Sequence, residues 1–480
     1  MVSESADGGL GGTARATPGT WCCEVELSGD GVIDGVLPSN GDHRLARVLV
    51  RLHGEPLGYL TLPLSAVTAS VEPALRLAWE QFEVAINAHL LEDRLPPVAE
   101  LSSTSRPRLA TRNCSATVRS GELVSVVVCT RDRSAALPDC LTRLQELTYP
   151  HLEVIIVDNA PSDDATRRVV ESLAATDARF HYVCEPRPGL SCARNRGLAA
   201  ARGTYVAYTD DDVSVDSLWV DGVVRGFQRD DSVACVTGLV CSASITNAAE
   251  AYFDARASSW STRFRSMIYD LDRKVADDPL TPYSAGVFGT GANFAFERDY
   301  LNWLGGFDEA LGAGTQTRGG EDLDMFVRIL NSGRTIAYEP AAVVWHRHRA
   351  DHAALLKQLF GYGTGLSAFI TKCLVQPSTR IAVLHGLRAG LVRLMAIGSA
   401  TNARLGDGVQ RPRGALSREI AGFALGPFYY VLAVGAARAG RRRVNRRVQR
   451  RSGQCTSQAK MRRSRKGCFG PQRKASSCET

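Results

Sequence analysis

The pattern of hydrophobic and polar positions changes at about residue 122. From there, short apolar runs that are typical of buried strands alternate with segments in which apolar residues recur at helical spacing. The main runs are residues 123–130, 153–159, 180–184, 205–208 and 233–240. Strands that alternate with helices indicate an α/β fold with a mostly parallel sheet and flanking helices. We therefore predict an α/β domain over residues 122–350.

Three of these predicted strands end in polar residues. The clusters are Thr130-Arg131-Asp132, Asp158-Asn159 and Asp210-Asp211-Asp212. The carboxyl ends of parallel strands lie along one edge of a sheet, where open α/β sheets bind ligands. The three clusters are therefore expected to form one site.

The three consecutive aspartates are the first candidate for a metal site. In an extended strand side chains alternate, so Asp210 and Asp212 would share a face while Asp211 would point the other way. Two carboxylates on one face suit a hard divalent cation such as Mg²⁺ or Mn²⁺. Taken alone, an acidic and solvated turn after a strand is the alternative.

A second acidic cluster lies in residues 318–330. Its apolar residues recur at helical spacing, which places Glu321 and Asp322 in the first turn of a helix. Acids in a first turn also interact favourably with the helix dipole, so a structural role is the alternative. Before this cluster, residues 286–296 combine glycines with an apolar strand, where a ligand could approach the backbone or the strand could bulge.

The first 121 residues have a different composition. Residues 1–18, rich in Gly, Ser and Ala, are expected to form a flexible leader. Residues 19–95 are predicted to form a small α+β domain with strands at 21–27, 46–52 and 57–62 and a helix at 66–91. Residues 96–121, rich in Pro, Ser, Thr and Arg, are predicted to be a linker.

The charge balance separates the end of the chain from its body. The 480 residues carry a net charge of +7, yet residues 441–480 hold 14 Lys and Arg against one acid, while the first 440 hold 43 basic and 49 acidic residues. We predict a basic disordered tail at 441–480, after a helical region at 351–440. Such a tail could touch anionic lipid or nucleic acid, although a merely solvated and dispensable tail is at least an equal alternative.

The cysteines and the N-terminus indicate a cytoplasmic protein. Thirteen Cys include no Cys-x-x-Cys pair, and several lie inside apolar runs, which argues for reduced thiols. Residues 1–18 have no apolar core segment of the kind found in a signal peptide. The hydrophobic fraction of 44% permits a large buried core.

Six motifs occur in a fixed order over residues 122–350. They are Val-Ser-Val-Val-Val-Cys-Thr-Arg-Asp, Val-Ile-Ile-Val-Asp-Asn, Pro-Gly-Leu-Ser-Cys-Ala-Arg-Asn-Arg-Gly, Tyr-Val-Ala-Tyr-Thr-Asp-Asp-Asp, Gly-Gly-Phe-Asp-Glu and Gly-Glu-Asp-Leu-Asp. In order and spacing they resemble the bacterial, inverting family 2 glycosyltransferases. The resemblance implies a Rossmann-like GT-A fold for this domain.

The resemblance also implies residues that bind a nucleoside-diphosphate-sugar donor. Thr130, Arg131 and Asp132 would line the nucleotide site, and Asp158 would contact the base or ribose. A helix cap or turn role is the alternative for Asp158. Arg194 and Asn195 would lie near the nucleotide and diphosphate, for which an arginine fork is well suited.

The same resemblance implies which residues carry out the chemistry. Asp210 and Asp212 would hold the divalent metal, and Asp211 would contact the ribose or sugar. Asp322 would be the general base that takes a proton from the acceptor, with Glu321 as the second candidate. His346 would be a further metal ligand, and His348 on the same strand face is its possible substitute.

Two apolar segments near the C-terminus raise the question of a membrane. Residues 420–437 form an uncharged run of 18 residues, a marginal length for a span, while Arg388 and Arg393 interrupt residues 381–398. We expect peripheral contact with the cytoplasmic face of the plasma membrane. A buried helical pair packed on the catalytic domain is the alternative.

We therefore expect a metal-dependent, inverting glycosyltransferase that moves a sugar from a nucleoside-diphosphate donor to a hydroxyl of a glycan, lipid-linked or small-molecule acceptor. No specific nucleic-acid partner is expected. Nucleotidyl transfer on a related sheet would need a Gly-rich phosphate loop after the first strand, which ends instead at Thr130. A catalytically degenerate nucleotide-sugar-binding module is the alternative, and it would be expected to have lost Asp210, Asp212 or Asp322.

Overall fold

The computed structural model describes residues 15–29, 33–34, 43–102, 121–271, 280–349, 351–406 and 409–466. Most of the predicted leader and linker, residues 1–14 and 103–120, lies outside these ranges, as do residues 467–480 of the predicted tail.

The N-terminal part is the small α+β unit that the sequence predicts. Its strands are β1 (Thr20–Glu26), β2 (Ile33–Asp34), β3 (Leu45–Leu52) and β4 (Glu55–Pro63), in the order β2-β1-β3-β4. The helix predicted at 66–91 is two helices, α1 (Leu64–Ala69) and α2 (Glu72–Glu92). They are separate because Ser70 is extended, with φ −164°, and its hydroxyl accepts a hydrogen bond from the Glu72 N–H.

The central sheet confirms the α/β prediction. Its strands are β5 (Val124–Thr130), β6 (Leu152–Asn159), β7 (Phe180–Glu185), β8 (Tyr205–Asp210), β9 (Val213–Val215), β10 (Val233–Ser242), β11 (Met267–Tyr269), β12 (Asn293–Glu297) and β13 (Thr335–His346). They run in the order β11-β13-β10-β12-β8-β5-β6-β7, and β9 pairs with β13. Strands β8, β5, β6 and β7 are parallel, as predicted, whereas β12 is antiparallel to both β8 and β10.

Helices cover both faces of this sheet. In chain order they are α3 (Leu137–Gln145), α4 (Ala165–Ala174), α5 (Leu190–Ala200), α6 (Trp219–Phe227), α7 (Ala248–Arg256), α8 (Ser258–Ser261), α9 (Arg298–Trp303) and α10 (Glu321–Asn331). Two glycines allow close approach: a Cβ on Gly197 of α5 would lie 2.4 Å from Val127, and one on Gly222 of α6 would lie 2.5 Å from the backbone of Ala342. These contacts fix α5 and α6 against opposite parts of the sheet.

The N-terminal unit packs directly on the central sheet. Leu49 and Tyr59 are buried in one cluster with Leu239, Cys241 and Val343. Two buried ion pairs cross the same interface: Arg47 Nη1 lies 2.8 Å from Asp254 Oδ1, and Arg51 Nη1 lies 2.5 Å from Asp216 Oδ2. Arg47 and Arg51 are spaced four residues apart on β3, so their side chains leave the same face of the strand.

Three long helices follow the central sheet: α11 (His352–Val375), α12 (Pro377–Arg404) and α13 (Ala415–Lys466). The predicted helical region is therefore present. The prediction of disorder from residue 441 is wrong as far as Lys466, where α13 ends. This stretch is rich in Arg, Gln and Lys, which are good helix formers.

Helix α13 packs on α11 through small residues. A Cβ on Gly422 would lie 2.2 Å from the Phe360 carbonyl oxygen, and one on Gly363 would lie 2.2 Å from that of Glu419. By length and composition, the segment Ala415–Gly440 could cross a membrane, since its mean hydropathy is 1.6 over an 18-residue window that is only 17% buried. The alternative of a buried helical pair therefore does not describe α13.

Candidate active site

A cleft of about 890 Å³ opens at the carboxyl ends of β5, β6 and β8. The start of α10, the end of β13 and the first turns of α11 complete its walls. Among the predicted site residues, those lining it are Thr130, Arg131, Arg194, Asp210, Asp211, Asp212, Glu321, Asp322, His346 and His348. The cleft thus brings together residues that are more than 200 positions apart in the chain.

The three aspartates do not alternate as an extended strand would. Strand β8 ends at Asp210, and Asp211 and Asp212 form the turn before β9, so the predicted alternation stops at Asp210. One guanidinium nitrogen of Arg133 contacts both turn residues, at 2.5 Å from Asp211 and 3.2 Å from Asp212. The Thr130 hydroxyl also donates to Asp211, at 2.7 Å.

Their surroundings give the aspartates different proton affinities. Burial raises the pKa of Asp210, which Arg194 opposes and the other two aspartates reinforce. Burial also raises the pKa of Asp211, against the opposing effects of Thr130 and Arg133. Burial disfavours the charge on Asp212 as well, but His346, Arg349 and Arg133 together lower the pKa of Asp212 below its ordinary value.

Strand pairing brings His346 to Asp212. Strand β9, which directly follows the aspartates, pairs antiparallel with the end of β13, so that Val213 faces His346. His346 Nε2 then lies 3.6 Å from Asp212 Oδ1. That separation is too long for a hydrogen bond, and it allows both atoms to bind one cation through bonds of about 2 Å.

His348 is held by other partners. Its Nε2 lies 2.6 Å from the Ser242 hydroxyl, and its Nδ1 lies 3.1 Å from His346 Nδ1. Burial lowers the pKa of His348 to about 3. Both ring nitrogens of His348 are therefore already in contact with protein groups.

The chain of contacts continues away from the cleft. The Ser242 hydroxyl also bonds Asp254, which in turn pairs with Arg47 of the N-terminal unit. Burial disfavours the charge on Asp254, yet Arg47 holds the pKa of that carboxyl below its usual value. A continuous polar path therefore runs from β3 to His346.

Arg194 lies on α5 and is buried between the two acidic clusters. Its guanidinium donates to Glu321 Oε1 and to the Gly291 carbonyl oxygen, both at 2.9 Å, and lies 3.7 Å from Asp210 Oδ1. Burial raises the pKa of Glu321, and neighbouring Asp322 raises it further against the effect of Arg194. Arg194 is thus already engaged with protein groups and lies between the buried carboxylate of Glu321 and the partly exposed one of Asp210.

Asp322 is the more accessible acid of its pair. Helix α10 begins after Gly320, whose φ of +89° and contact with α11 leave no room for a side chain. Asp322 follows in the first turn, where one carboxylate oxygen accepts from the Leu323 N–H at 2.8 Å and the other from the Gly291 N–H at 3.1 Å. It is partly exposed to the cleft, whereas Glu321 is buried.

Three predicted donor-binding residues do not line the cleft. Asp132 accepts two hydrogen bonds from Ser162, and Asn195 exchanges two with the backbone of Phe307. Asp158 accepts from the Tyr182 hydroxyl at 3.0 Å, while its buried Oδ1 has no partner among the described residues. Their contact with a donor stays a prediction.

Two arginines that contact the aspartates were not predicted from the sequence as site residues. Arg133 contacts Asp211 and Asp212, and Arg349 lies 3.1 Å from Asp212 Oδ2. Arg133 follows directly after the polar end of the first strand, and Arg349 follows His346 by three residues, so both lie beside motifs that the sequence does reveal. Their convergence on Asp212 depends on the pairing of β9 with β13, which has no local sequence signal.

The described residues fit a divalent cation at this place. His346 Nε2 and Asp212 Oδ1 lie 3.6 Å apart, close enough for one cation to touch both, and Asp210 lines the same cleft. Carboxylate oxygens are donors that Mn²⁺ and Mg²⁺ prefer. Burial is the main cause of the raised pKa of Asp210, and the charges of Asp212 and Asp211 raise it further; a nearby cation would favour the charged form of all three carboxylates.

Comparisons with known proteins show the family to which the chain belongs. The sequence pattern of the family described as Glycosyl transferase family 2 matches residues 125–300. The succinoglycan biosynthesis protein ExoM of Rhizobium meliloti is 30% identical over 253 residues, which cover 50% of this chain and 72% of that protein. The chain belongs to glycosyl transferase family 2.

Two further similar proteins match different shares of the chain. The pre-mycofactocin glycosyltransferase of Mycobacterium tuberculosis is 29% identical over 231 residues, which span 48% of this chain but only 43% of that relative. The mannosyltransferase PcManGT of Pyrobaculum calidifontis, solved with GDP-Man and Mn²⁺, has 22% identity and a TM-score of 0.40 over 65% of this chain and 86% of its own. At that TM-score the likeness carries no argument about this chain.

Proposed function

We propose that this family 2 protein is a metal-dependent, inverting glycosyltransferase. It would move a sugar from a nucleoside-diphosphate donor to a hydroxyl of a glycan, lipid-linked or small-molecule acceptor. The observation that carries the proposal is the cleft itself, in which the three aspartates, His346 and Asp322 all converge.

The metal would be held by Asp210, Asp212 and His346. When bound, a divalent cation supplies positive charge that stabilises the departing diphosphate. Arg133 and Arg349 contact Asp212 from the open cleft and are placed to share the same anionic group, for which guanidinium donors are suited. Thr130 and Arg131 line the neighbouring wall, where a nucleoside would lie.

Arg194 has a positioning role in this proposal. Because it already donates to Glu321 and Gly291, it would hold the two acidic clusters at a fixed separation. Glu321 would then set the orientation of Arg194 rather than act as the base.

Asp322 would be the general base. As the acceptor oxygen bonds to the anomeric carbon, the bond from that carbon to the diphosphate oxygen breaks on the opposite side, and the hydroxyl proton passes to the Asp322 carboxylate. The N–H groups of Gly291 and Leu323 fix the direction of that carboxylate. A positioned carboxylate of this kind contributes about 10²–10⁴-fold to the rate.

We also propose that α12 and α13 contact the cytoplasmic face of the membrane. Large apolar side chains are exposed on both helices, including Ile381, Val392, Ile420, Phe428 and Val431. On α13 the last three recur at helical spacing on the side away from the glycines that contact α11. An exposed apolar stripe next to basic residues is typical of interfacial helices.

A panel of nucleotide sugars tests the catalytic proposal. Each donor is incubated with the purified chain and Mn²⁺ or Mg²⁺, and release of nucleoside diphosphate is followed. We expect slow, metal-dependent hydrolysis of one donor, which would identify the sugar and the base. If a nucleotide sugar binds without needing the metal and none is hydrolysed, the degenerate binding module becomes the better description.

A further inference from the structure

A second cluster of metal-binding side chains lies in the N-terminal unit, away from the cleft. His53 Nδ1, His89 Nε2 and Asp93 Oδ2 all point to one place. The distances are 2.8 Å from His53 to Asp93, 3.1 Å from His53 to His89, and 3.4 Å from His89 to Asp93. None of these residues lines the cleft.

We propose that these three residues bind a Zn²⁺ ion. A tetrahedral zinc with bonds of about 2.0–2.2 Å holds its ligand atoms roughly 3.3–3.5 Å apart. The separation of 2.8 Å between His53 and Asp93 would have to grow by about 0.5–0.7 Å, and the other two separations would change by about 0.4 Å or less. Two imidazoles and one carboxylate are donors that zinc prefers, and three protein ligands leave a fourth position for water.

Local structure places each ligand. His53 and Gly54 form the two-residue turn between β3 and β4, with φ of +53° and +81°. Both of their N–H groups donate to the Glu26 carboxylate, at 2.9 and 2.8 Å. Asn is the usual residue at the first position of such a turn, so histidine here presents an imidazole from a rigid support.

The other two ligands come from one helix end. His89 lies in the last turn of α2 and Asp93 is its C-cap residue, four positions later, so both side chains lie on one face. Glu55 Oε2 lies 3.7 Å from His89 Nδ1, the ring nitrogen that faces away from the cluster. At that distance the two atoms are not hydrogen-bonded, and the carboxylate lies close enough to pair with a protonated His89 ring only through charge.

The two imidazole nitrogens meet in a buried place. His53 and His89 are buried, with 4% and 9% of their surfaces exposed. Only one proton can lie between His53 Nδ1 and His89 Nε2, and both nitrogens also approach Asp93 Oδ2. A single cation at the centre satisfies all three lone pairs at once.

The site would fix the turn that contacts the catalytic domain. A Cβ on Gly54 would lie 2.9 Å from Leu218, which directly precedes α6. Glu55 in turn pairs with Arg225 of α6, at 2.6 Å. Zinc would therefore lock α2, the β3–β4 turn and the surface that packs on α6 into one arrangement, independently of the proposed catalysis.

Metal analysis of the full-length protein tests this site. The purified chain is loaded with Zn²⁺, dialysed against metal-free buffer containing Mg²⁺, and its zinc content is measured by mass spectrometry. In parallel, Co²⁺ is added to a metal-free sample and the visible absorption is recorded, since tetrahedral Co²⁺ absorbs strongly. Variants His53→Asn, which keeps a residue that tolerates positive φ, and Asp93→Asn remove one ligand each, and His346→Asn changes the cleft instead.

We expect one equivalent of zinc and a tetrahedral cobalt spectrum in the wild type and in His346→Asn. His53→Asn and Asp93→Asn should retain little zinc after dialysis. Loss of a group that only orients a metal ligand weakens binding by about 10–100-fold, and loss of the ligand itself should weaken it more. Circular dichroism confirms that the variants are folded. A wild type that retains no zinc and gives no tetrahedral cobalt band, or zinc that is lost only in His346→Asn, would overturn the proposal.

Discussion

Neighbouring acids at the start of α10 show how strongly surroundings decide the role of a residue. Glu321 is buried and paired with Arg194, whereas Asp322 is partly exposed and held by two backbone N–H groups. Both acids are equally visible in the sequence, and a helix dipole would favour either. Only the contacts of each side chain separate the candidate base from the buried counter-charge.

Asn195 provides a test of one predicted donor contact. Its side chain exchanges two hydrogen bonds with Phe307, so Asn195→Ala should lower the free energy of unfolding by about 1–3 kcal/mol. The KM for the donor should stay unchanged. Denaturant unfolding and donor kinetics check both points, with Asn302→Ala on the exposed side of α9 as the control. A raised KM without loss of stability would instead support the predicted contact with the donor.

Asp221 is predicted to make stability depend on pH. Burial raises the pKa of Asp221 to about 6, and its Oδ2 has no hydrogen-bond partner among the described residues. Between about pH 4 and pH 6 the unfolded chain has already released the Asp221 proton while the folded chain still holds it. The free energy of unfolding therefore falls as pH rises through this range, and it stays lower at pH 7. Asp221→Asn should therefore be more stable than the wild type at pH 7, by about 1 kcal/mol after allowance for solvent screening.

Unfolding of Asp221→Asn at pH 4 and pH 7 measures this effect. The stability gap should shrink at pH 4, where the aspartate of the wild type is protonated in the folded state. Asp139→Asn, an exposed acid in the first turn of α3, is the matched control and should show no such gain. An equal gap at both pH values would contradict the account.

At the scale of elements, the polar path from β3 to His346 should affect metal binding. The Ser242 hydroxyl joins Asp254 to His348, which contacts His346. Ser242→Ala should raise the Mn²⁺ concentration needed for half-maximal activity by about tenfold. This is the lower end of the range for removing a group that orients a metal ligand. Activity at saturating metal should change much less.

A control for this variant lies at the other end of the same strand. Ser232 directly precedes β10 and bonds Asp230 and Thr335, far from the path. Ser232→Ala should leave the Mn²⁺ requirement as it is. If both variants have the wild-type Mn²⁺ requirement, metal binding by His346 does not depend on this polar path.

The local elements were largely predictable, whereas their distant pairings were not. Apolar runs located β5, β6 and β8 to within a few residues, because buried parallel strands have a strong local pattern. The antiparallel insertion of β12 and the pairing of β9 with β13 join segments more than 80 positions apart. For the same reason the sequence indicated Asp210, Asp322 and His346 individually but not the arginines that converge on Asp212.

At the scale of the whole molecule, the exposed faces of α12 and α13 predict membrane binding. The chain should float with vesicles that contain anionic lipid. Replacing Phe428 and Val431, which are 60% and 67% exposed, with serine should weaken that binding about tenfold or more.

The control for flotation uses an equally exposed apolar pair on another element. Val84 and Leu91 of α2 are 71% and 61% exposed, and their replacement with serine should not change vesicle binding. Equal flotation of the α13 double variant and the wild type would show that this face does not contact lipid.

The most direct test of the catalytic account is the rate at which Asp322→Asn releases nucleoside diphosphate from its donor at saturating Mn²⁺. We expect kcat to fall by about 10²–10⁴-fold relative to the wild type, while Mn²⁺-dependent binding of the nucleoside diphosphate, measured by calorimetry, stays the same. Such a result would show that the cleft is intact and lacks only its base. An Asp322→Asn variant that turns over at the wild-type rate would contradict the central claim.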